Sequence, residues 1–469
     1  MFIKQLYTSC LSEAAYYIES DGEAAVIDPL RDIEVYLELA KERNASIKYI
    51  FETHFHADFV SGHIDLSKAT GATIVFGPQT ETSFPVHVAK DGDIFPLGAL
   101  SVTVLHTPGH TLESASYLLK DKEGKDHCVF TGDTLFVGDV GRPDLAQGGD
   151  ELTMFELAGK LYDSLQQKIV PLHDDVIIYP AHGPGSSCGK NIGAGTSSTI
   201  GEEKKNNYAL KASSKEEFIK VVTEHLPEPP EYFATTAQIN KEGYESIDTV
   251  LEQALKPLSI SDIREEMVKG TILLDTRLPE DFILGFIPGS INIGLDGRFA
   301  EWAGNLLPFD KSIVLVTANG KEKESVVRMA RVGFDNVIGI AEGGFENWKD
   351  SGEEFDMIID IEADELAMDL PFDDRIMVLD VRKPVEFAEG HVKDALNIPL
   401  VDLNDPLNMA AIEEDHNVYI HCASGYRSVI AASLLKRQGI HNIRNISGGW
   451  ASIKEEKRIE TEKDKSVLN

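Results

Sequence analysis

The chain has 469 residues and a formal net charge of −34, from 78 acidic and 44 basic residues. So acidic a surface repels nucleic acid and anionic lipid, and neither partner is expected. Four scattered cysteines (Cys10, Cys128, Cys188 and Cys422), with no CxxC pair, exclude a disulfide framework and predict a reduced, cytoplasmic protein. The first twenty residues lack the apolar run of a signal peptide, and no stretch is long and apolar enough to span a membrane.

In chain order, residues 1–245 alternate short β-branched runs with turns: AAVIDP, SIKYIFETH, ATIVFGP, LSVTVLHTPGH, HCVFTGD and DVIIYPAHG. Amphipathic stretches such as IEVYLELAKERN fall between them. The period switches between two and about 3.6, which predicts a layered α/β or α+β domain. Its end is expected near LPEPPEYF, Leu226 to Phe233, where prolines block regular structure.

Several of these runs end on metal-ligand residue types. THFHADF supplies His54, His56 and Asp58; HTPGHTLES supplies His110; VFTGDTLF supplies Asp133; VIIYPAHG supplies His182. Each follows a strand-like run, and glycines nearby permit tight turns. A solvated loop histidine is the bland alternative for any one of them. Recurrence in order at four strand ends argues for one metal centre.

The order HxHxD, H, D, H resembles the metallo-β-lactamase superfamily. That resemblance implies an αββα sandwich with metal at one edge. Members with two zinc ions read HxHxDH, whereas Phe59 follows Asp58 here and cannot ligate. One Fe(II) per chain is therefore expected, with zinc as the alternative. His54, His110 and Asp133 would form a two-histidine, one-carboxylate face open on the other side. The strings THFHADF, TPGHT, FTGDTLFVGDVGRPDLAQGG and YPAHG are similar to the persulfide dioxygenase branch. By that resemblance His56, Asp58 and His182 lie beside the ligands or make a second metal site. Arg142, Thr111 and Tyr179 lie near the thiol part of the substrate; a structural salt bridge is the other reading of Arg142, and core packing that of Tyr179.

The segment HGPGSSCGKNIGAGTSSTIGEEKKNN follows. Pro184 and Asn191 break the pattern of a nucleotide-binding loop, so a wall or lid of the active site is expected. Cys188 within it is either an accessory persulfide-handling thiol or a small buried residue.

The remainder is a duplicated unit. LLDTRLPEDFILGFIPGSINI is echoed by VLDVRKPVEFAEGHVKDALNI, and EGGFENW by SGGWASI; Asp380 and Gly448 each lie 105 positions after Asp275 and Gly343. Each copy predicts a small parallel α/β sheet. The division expected is 1–245, 246–355 and 356–469, with a frayed C-terminal tail. In the last copy Cys422 sits between a strand and a helix, in CASGYR. Backbone N–H groups of such a turn make an anion nest that favours thiolate.

The signature DVRKPVEFAEGHVKDALNIP and the loop CxxGxR resemble the rhodanese family. The resemblance implies sulfur transfer through a persulfide on Cys422, with Arg427 drawing sulfite or thiosulfate. A phosphatase is the minor alternative for this loop. In the middle copy, VLVTANGKEKESVVRMA, Thr317 or Ala318 stands in place of the cysteine, so that copy is expected to be inactive. It offers a surface for docking or dimerisation, and a homo-oligomer is expected. Jointly these resemblances imply oxidation of a thiol persulfide (of glutathione, coenzyme A or a similar carrier) by O₂ to sulfite, coupled to formation or use of thiosulfate. A glyoxalase II-type zinc thioester hydrolase is the rival, and a sensor with both sites vestigial the other.

Overall fold

The computed structural model describes residues 1–145, 153–412 and 416–464. The AQGG of the GRPDLAQGG string lies outside the described residues. The chain forms two compact units, Met1–Val250 with Met329–Asp335, and Leu251–Arg328 with Asn336–Asn469.

The first unit holds two six-stranded sheets. One runs in sequence order: β1 (Phe2–Thr8), β2 (Glu13–Ser20), β3 (Glu23–Ile27), β4 (Ser46–Phe51), β5 (Thr73–Phe76) and β6 (His87–Val88). The other comprises β7 (Ile94–Leu97), β8 (Leu100–His106), β9 (Ala115–Lys120), β10 (Asp126–Gly132), β11 (Ile177–Pro180) and β12 (Ser198–Thr199), also in sequence order.

Residue alternation builds three cores at once. Tyr16 and Ile18 of β2 meet Tyr117, Leu119, Cys128 and Phe130 of the second sheet, between the sheets. Their neighbours Ala15 and Tyr17 face outward onto Tyr36, Leu39 and Leu66 of two helices. On the other side Val129 and Ile178 pack on Leu161 and Phe218. A one-residue slip would exchange these faces, so burial on both sides fixes the register. The result is the αββα sandwich expected. Cys128 is inter-sheet core, and burial pushes its thiol up.

The prolines end regular structure as expected, but the metal domain continues beyond them. The helix Tyr232–Glu242 belongs to the first unit. So does Met329–Asp335: buried Arg31 pairs with Asp335, and Arg331 with Asp32, inside that unit.

The second unit contains two five-stranded parallel sheets built alike. With β13 (Pro257–Leu258), β14 (Ile272–Asp275), β15 (Ile291–Asn292), β16 (Ile313–Val316) and β17 (Val337–Ala341), the middle repeat runs β13-β17-β16-β14-β15. With β18 (Ile359–Ile361), β19 (Ile376–Asp380), β20 (His391–Val392), β21 (Leu396–Asn397), β22 (Asn417–His421) and β23 (Ile443–Ile446), the last repeat runs β18-β23-β22-β19-β21. The expected frayed tail is corrected over its described part. Ile459 is buried in the last core, and β24 (Thr461–Glu462) pairs antiparallel with β20.

Candidate functional site

The ligand-type residues converge at the ends of β4, β8, β10 and β11. Gly132 makes the turn into Asp133: its φ is +52°, and a Cβ there would lie 2.5 Å from Thr53 Cβ. Gly141 lets the following loop close in, since a Cβ there would lie 2.0 Å from the Asp133 carbonyl oxygen.

His54, His110 and Asp133 come together, all buried. His110 Nε2 lies 3.4 Å and His54 Nε2 3.8 Å from Asp133 Oδ2. Two imidazoles and a carboxylate around one ion at about 2.0–2.2 Å show such edges. His54 Nε2 and both Asp133 oxygens are buried without a hydrogen-bond partner among the described residues, a costly arrangement unless a cation fills it. The donor set therefore fits a divalent metal. His110 Nδ1 donates to the Arg142 carbonyl at 2.8 Å, which turns Nε2 toward Asp133. His54 Nδ1 lies 3.0 Å from Thr53 Oγ1, itself held by Asp28. Burial, then the neighbouring histidines, hold His54 well below its ordinary value, so it is a neutral ligand.

His56, Asp58 and His182 form an adjoining cluster. His56 Nε2 lies 3.1 Å from Asp28 and 3.7 Å from Glu52. Burial opposes its protonation, but these carboxylates and Asp58 raise it to about 9. Phe59 is fully buried and tilted against the His56 ring, 4.3 Å between centroids.

The three residues expected near substrate lie in three settings. Arg142 is committed: Nε and Nη2 bond the Asp144 carboxylate, and Nη1 and Nη2 also reach the carbonyls of Ser187 and Pro227. The geometry gives it the structural use, holding the wall of the site. Tyr179 lies in the inter-sheet core, stacked on Phe130 at 5.4 Å. Thr111 is half-buried beside His110, its hydroxyl 2.7 Å from that of Ser114. The Gly-rich loop is a wall, tied by Gly193 N–H to the Val137 carbonyl and by Arg142 N–H to the Cys188 carbonyl. Cys188 is buried with its sulfur in the Asp133 and His182 cluster.

One residue escaped the sequence reading. Asn240 donates to the carbonyls of His56 and Phe59 and accepts from Ser61 N–H, so it pins the HxHxD loop. It lies some 180 positions downstream in an ordinary helical stretch, with no motif to betray it. Asn240→Ala leaves three buried groups unpaired. We expect a loss of about 2–4 kcal/mol in urea unfolding, with metal affinity down about tenfold.

In the last repeat Cys422 follows β22 and precedes the helix Tyr426–Arg437. Gly425, with φ +113°, donates its N–H to Cys422 Sγ at 3.1 Å. Trp450 N–H holds the Cys422 carbonyl at 2.7 Å. Arg427 is clasped by Glu386 through both carboxylate oxygens, at 2.7 and 2.8 Å. Burial works against the Glu386 charge, but Arg427 outweighs it and the carboxyl is lowered. Glu386 stands in the quoted signature, yet its contact with Arg427 could not be read from spacing.

Two family models match this architecture. The metallo-beta-lactamase superfamily covers residues 9–182, and the rhodanese-like domain covers 259–351 and 362–456. The mitochondrial persulfide dioxygenase ETHE1 of Homo sapiens is 32% identical over 221 residues, 46% of this chain and 78% of that protein. The chain belongs to the metallo-β-lactamase superfamily, fused to two rhodanese-like domains. A cytoplasmic hydroxyacylglutathione hydrolase of Arabidopsis thaliana is 33% identical over 186 residues, 38% of this chain and 67% of that protein. The crystal structure of a metallo-beta-lactamase from Staphylococcus aureus subsp. aureus COL matches with a TM-score of 0.64 and 32% identity, covering 73% of this chain and 99% of that one.

The two rhodanese-like domains can now be aligned in space. A Cβ on Gly344 would press on the Thr317 carbonyl as one on Gly449 would on that of Cys422, so Thr317, not Ala318, takes the cysteine's place. Gly320 keeps a positive φ like Gly425, but Glu322 stands where Arg427 does, and its carboxylate accepts the Gly320 N–H at 3.1 Å. Charge at this one position is thus reversed, between Lys321 and Lys323. In a Cys422→Ser background, Thr317→Cys should alkylate with iodoacetamide about tenfold more slowly than Cys422 does in the parent. Adding Glu322→Arg should recover most of that rate.

Proposed function

We propose that the chain oxidises low-molecular-weight thiol persulfides to thiol and sulfite at one Fe(II), and transfers sulfane sulfur through Cys422. The observation that carries the reading is the buried face of His54, His110 and Asp133, with Phe59 in place of the histidine that follows HxHxD in two-zinc relatives. We further propose the division into 1–245, 246–355 and 356–469. A ferrous ion held by this face would supply redox chemistry and open positions for a thiolate sulfur and O₂ together.

The chain's own groups do the rest. Thr53 and the Arg142 carbonyl fix the two imidazoles, so their Nε2 atoms stay aimed at one point. The Cys188-bearing loop walls the centre from water. The net change is RSSH + O₂ + H₂O to RSH and sulfite with two protons. At the other site the Gly425 N–H and the nest steady the anionic sulfur on Cys422. Its terminal sulfur passes to sulfite, giving thiosulfate and the free thiolate, or the reverse.

The rival is zinc-dependent thioester hydrolysis, which relatives named as hydroxyacylglutathione hydrolases favour at similar identity. Oxygen uptake by the iron-loaded chain with glutathione or coenzyme A persulfide tests the proposal. Stoichiometric sulfite is the expected result, and no uptake with either persulfide would overturn it.

A further inference from the structure

The loop CASGYR carries one cation, Arg427, and the fold gives it a partner. Its Nη1 and Nη2 donate to the two oxygens of Glu386, and both side chains are partly buried, so solvent screens the pair incompletely. The planar fork that a guanidinium would otherwise offer to an oxyanion is thus filled by a carboxylate. Glu386 is itself fixed, since its Oε2 also accepts the Lys383 N–H at 3.1 Å. Arg427 stands within electrostatic reach of the nucleophile: bonding to Glu386, then the charges of Cys422 and Asp380, raise it against burial. The other arginine of the signature, Arg382, is committed to Asp380 and to the Gly390 carbonyl. The Gly425 N–H therefore meets the Cys422 sulfur directly, while the ion pair beside it is close to neutral.

We propose that Glu386 is a specificity-determining residue: by neutralising Arg427 it biases Cys422 toward thiol persulfides and against thiosulfate as sulfur donors. The inference rests on the reading of Cys422 as a sulfur carrier and names the donor class. With a persulfide, the Cys422 thiolate attacks the outer sulfur of RSSH. The donor S–S bond breaks, the S–S bond to Cys422 forms, and the departing RS⁻ takes the proton and leaves as neutral RSH. With thiosulfate the same attack expels sulfite, SO₃²⁻, so a dianion must stand beside a thiolate on the way in and on the way out. A free Arg427 would offset that repulsion, and Glu386 withdraws it. Selectivity then comes from a repulsive element set against the disfavoured donor. Sulfite approaching a charged Cys422 meets the same barrier, so exchange with sulfite proceeds as the slower branch.

The test follows loading of Cys422 in the full chain under nitrogen, by the mass gain of a sulfur atom, with Cys422→Ser as the blank. The donors are thiosulfate and the persulfide of 2-mercaptoethanol, whose carrier has no charge, each over a range of concentrations. Glu386→Gln should shift the ratio of the two loading efficiencies by at least about tenfold toward thiosulfate, the scale of a charge-assisted hydrogen bond regained. The shift should appear as a lower half-saturating concentration of thiosulfate. Adding Arg427→Gln should reverse it, because the gain runs through the freed guanidinium. A purely structural role for Glu386 would slow both donors together. An unchanged ratio in Glu386→Gln, a shift toward the persulfide, or a gain that survives Arg427→Gln would each overturn the proposal while leaving Cys422 a sulfur carrier. No loading of the parent chain by either donor would sink the carrier reading, and this proposal with it.

Discussion

Asp133→Ala should abolish oxygen uptake and raise the stability of the metal-free protein. The carboxylate faces His54 and His110 with one oxygen and His182 with the other, so it reaches into both clusters. Losing it removes a ligand outright. Metal affinity should fall by more than about 100-fold, since changes merely behind a ligand cost 10–100-fold. Without metal the sign reverses. A buried carboxylate with neither oxygen hydrogen-bonded among the described residues is a liability in the folded state, and alanine relieves it. The gain expected is about 1–3 kcal/mol in the apo form. Urea unfolding with and without Fe(II) reads both effects: a variant less stable than the parent when apo would show that Asp133 is satisfied by protein groups instead.

Cys422→Ser should lower sulfur transfer by at least about 1,000-fold, because a hydroxyl neither ionises near neutrality nor holds sulfane sulfur. The serine fits: the cradle is made of backbone, with the Gly425 N–H aimed at position 422 and Trp450 N–H holding its carbonyl. Unfolding free energy should therefore stay within about 1 kcal/mol of the parent. Oxygen uptake with an added thiol persulfide should be unaffected, as that site draws on residues of the first unit alone. A thiocyanate or thiosulfate assay beside an oxygen electrode separates the two. Joint loss of both activities would argue that persulfide reaches the metal only through Cys422.

Much of this was legible because metal chemistry leaves short strings at strand ends. THFHADF, HTPGH, FTGD and PAHG each pair a ligand with a turn, and the sheets bring those turns to one edge. The repeat was legible for a similar reason: Asp275–Arg277 and Asp380–Arg382 make the same bidentate bonds, down to the Gly285 and Gly390 carbonyls. What stayed hidden depends on tertiary approach. Asn240 acts through carbonyls and an N–H of a distant loop, and no spacing encodes that. Arg142 carries the residue type of an anion binder, yet Asp144 two positions away claims it. The tail looked too charged to order, but Ile459 anchors it and β24 supplies backbone pairing.

The proposed function turns on which reaction the face of His54, His110 and Asp133 supports. The most direct measurement compares one preparation loaded with Fe(II) or with Zn(II), each given glutathione persulfide and S-lactoylglutathione. The iron form should consume one O₂ per sulfite formed, and neither form should hydrolyse the thioester. Thioester hydrolysis by the zinc form, with no oxygen uptake by the iron form, would contradict it.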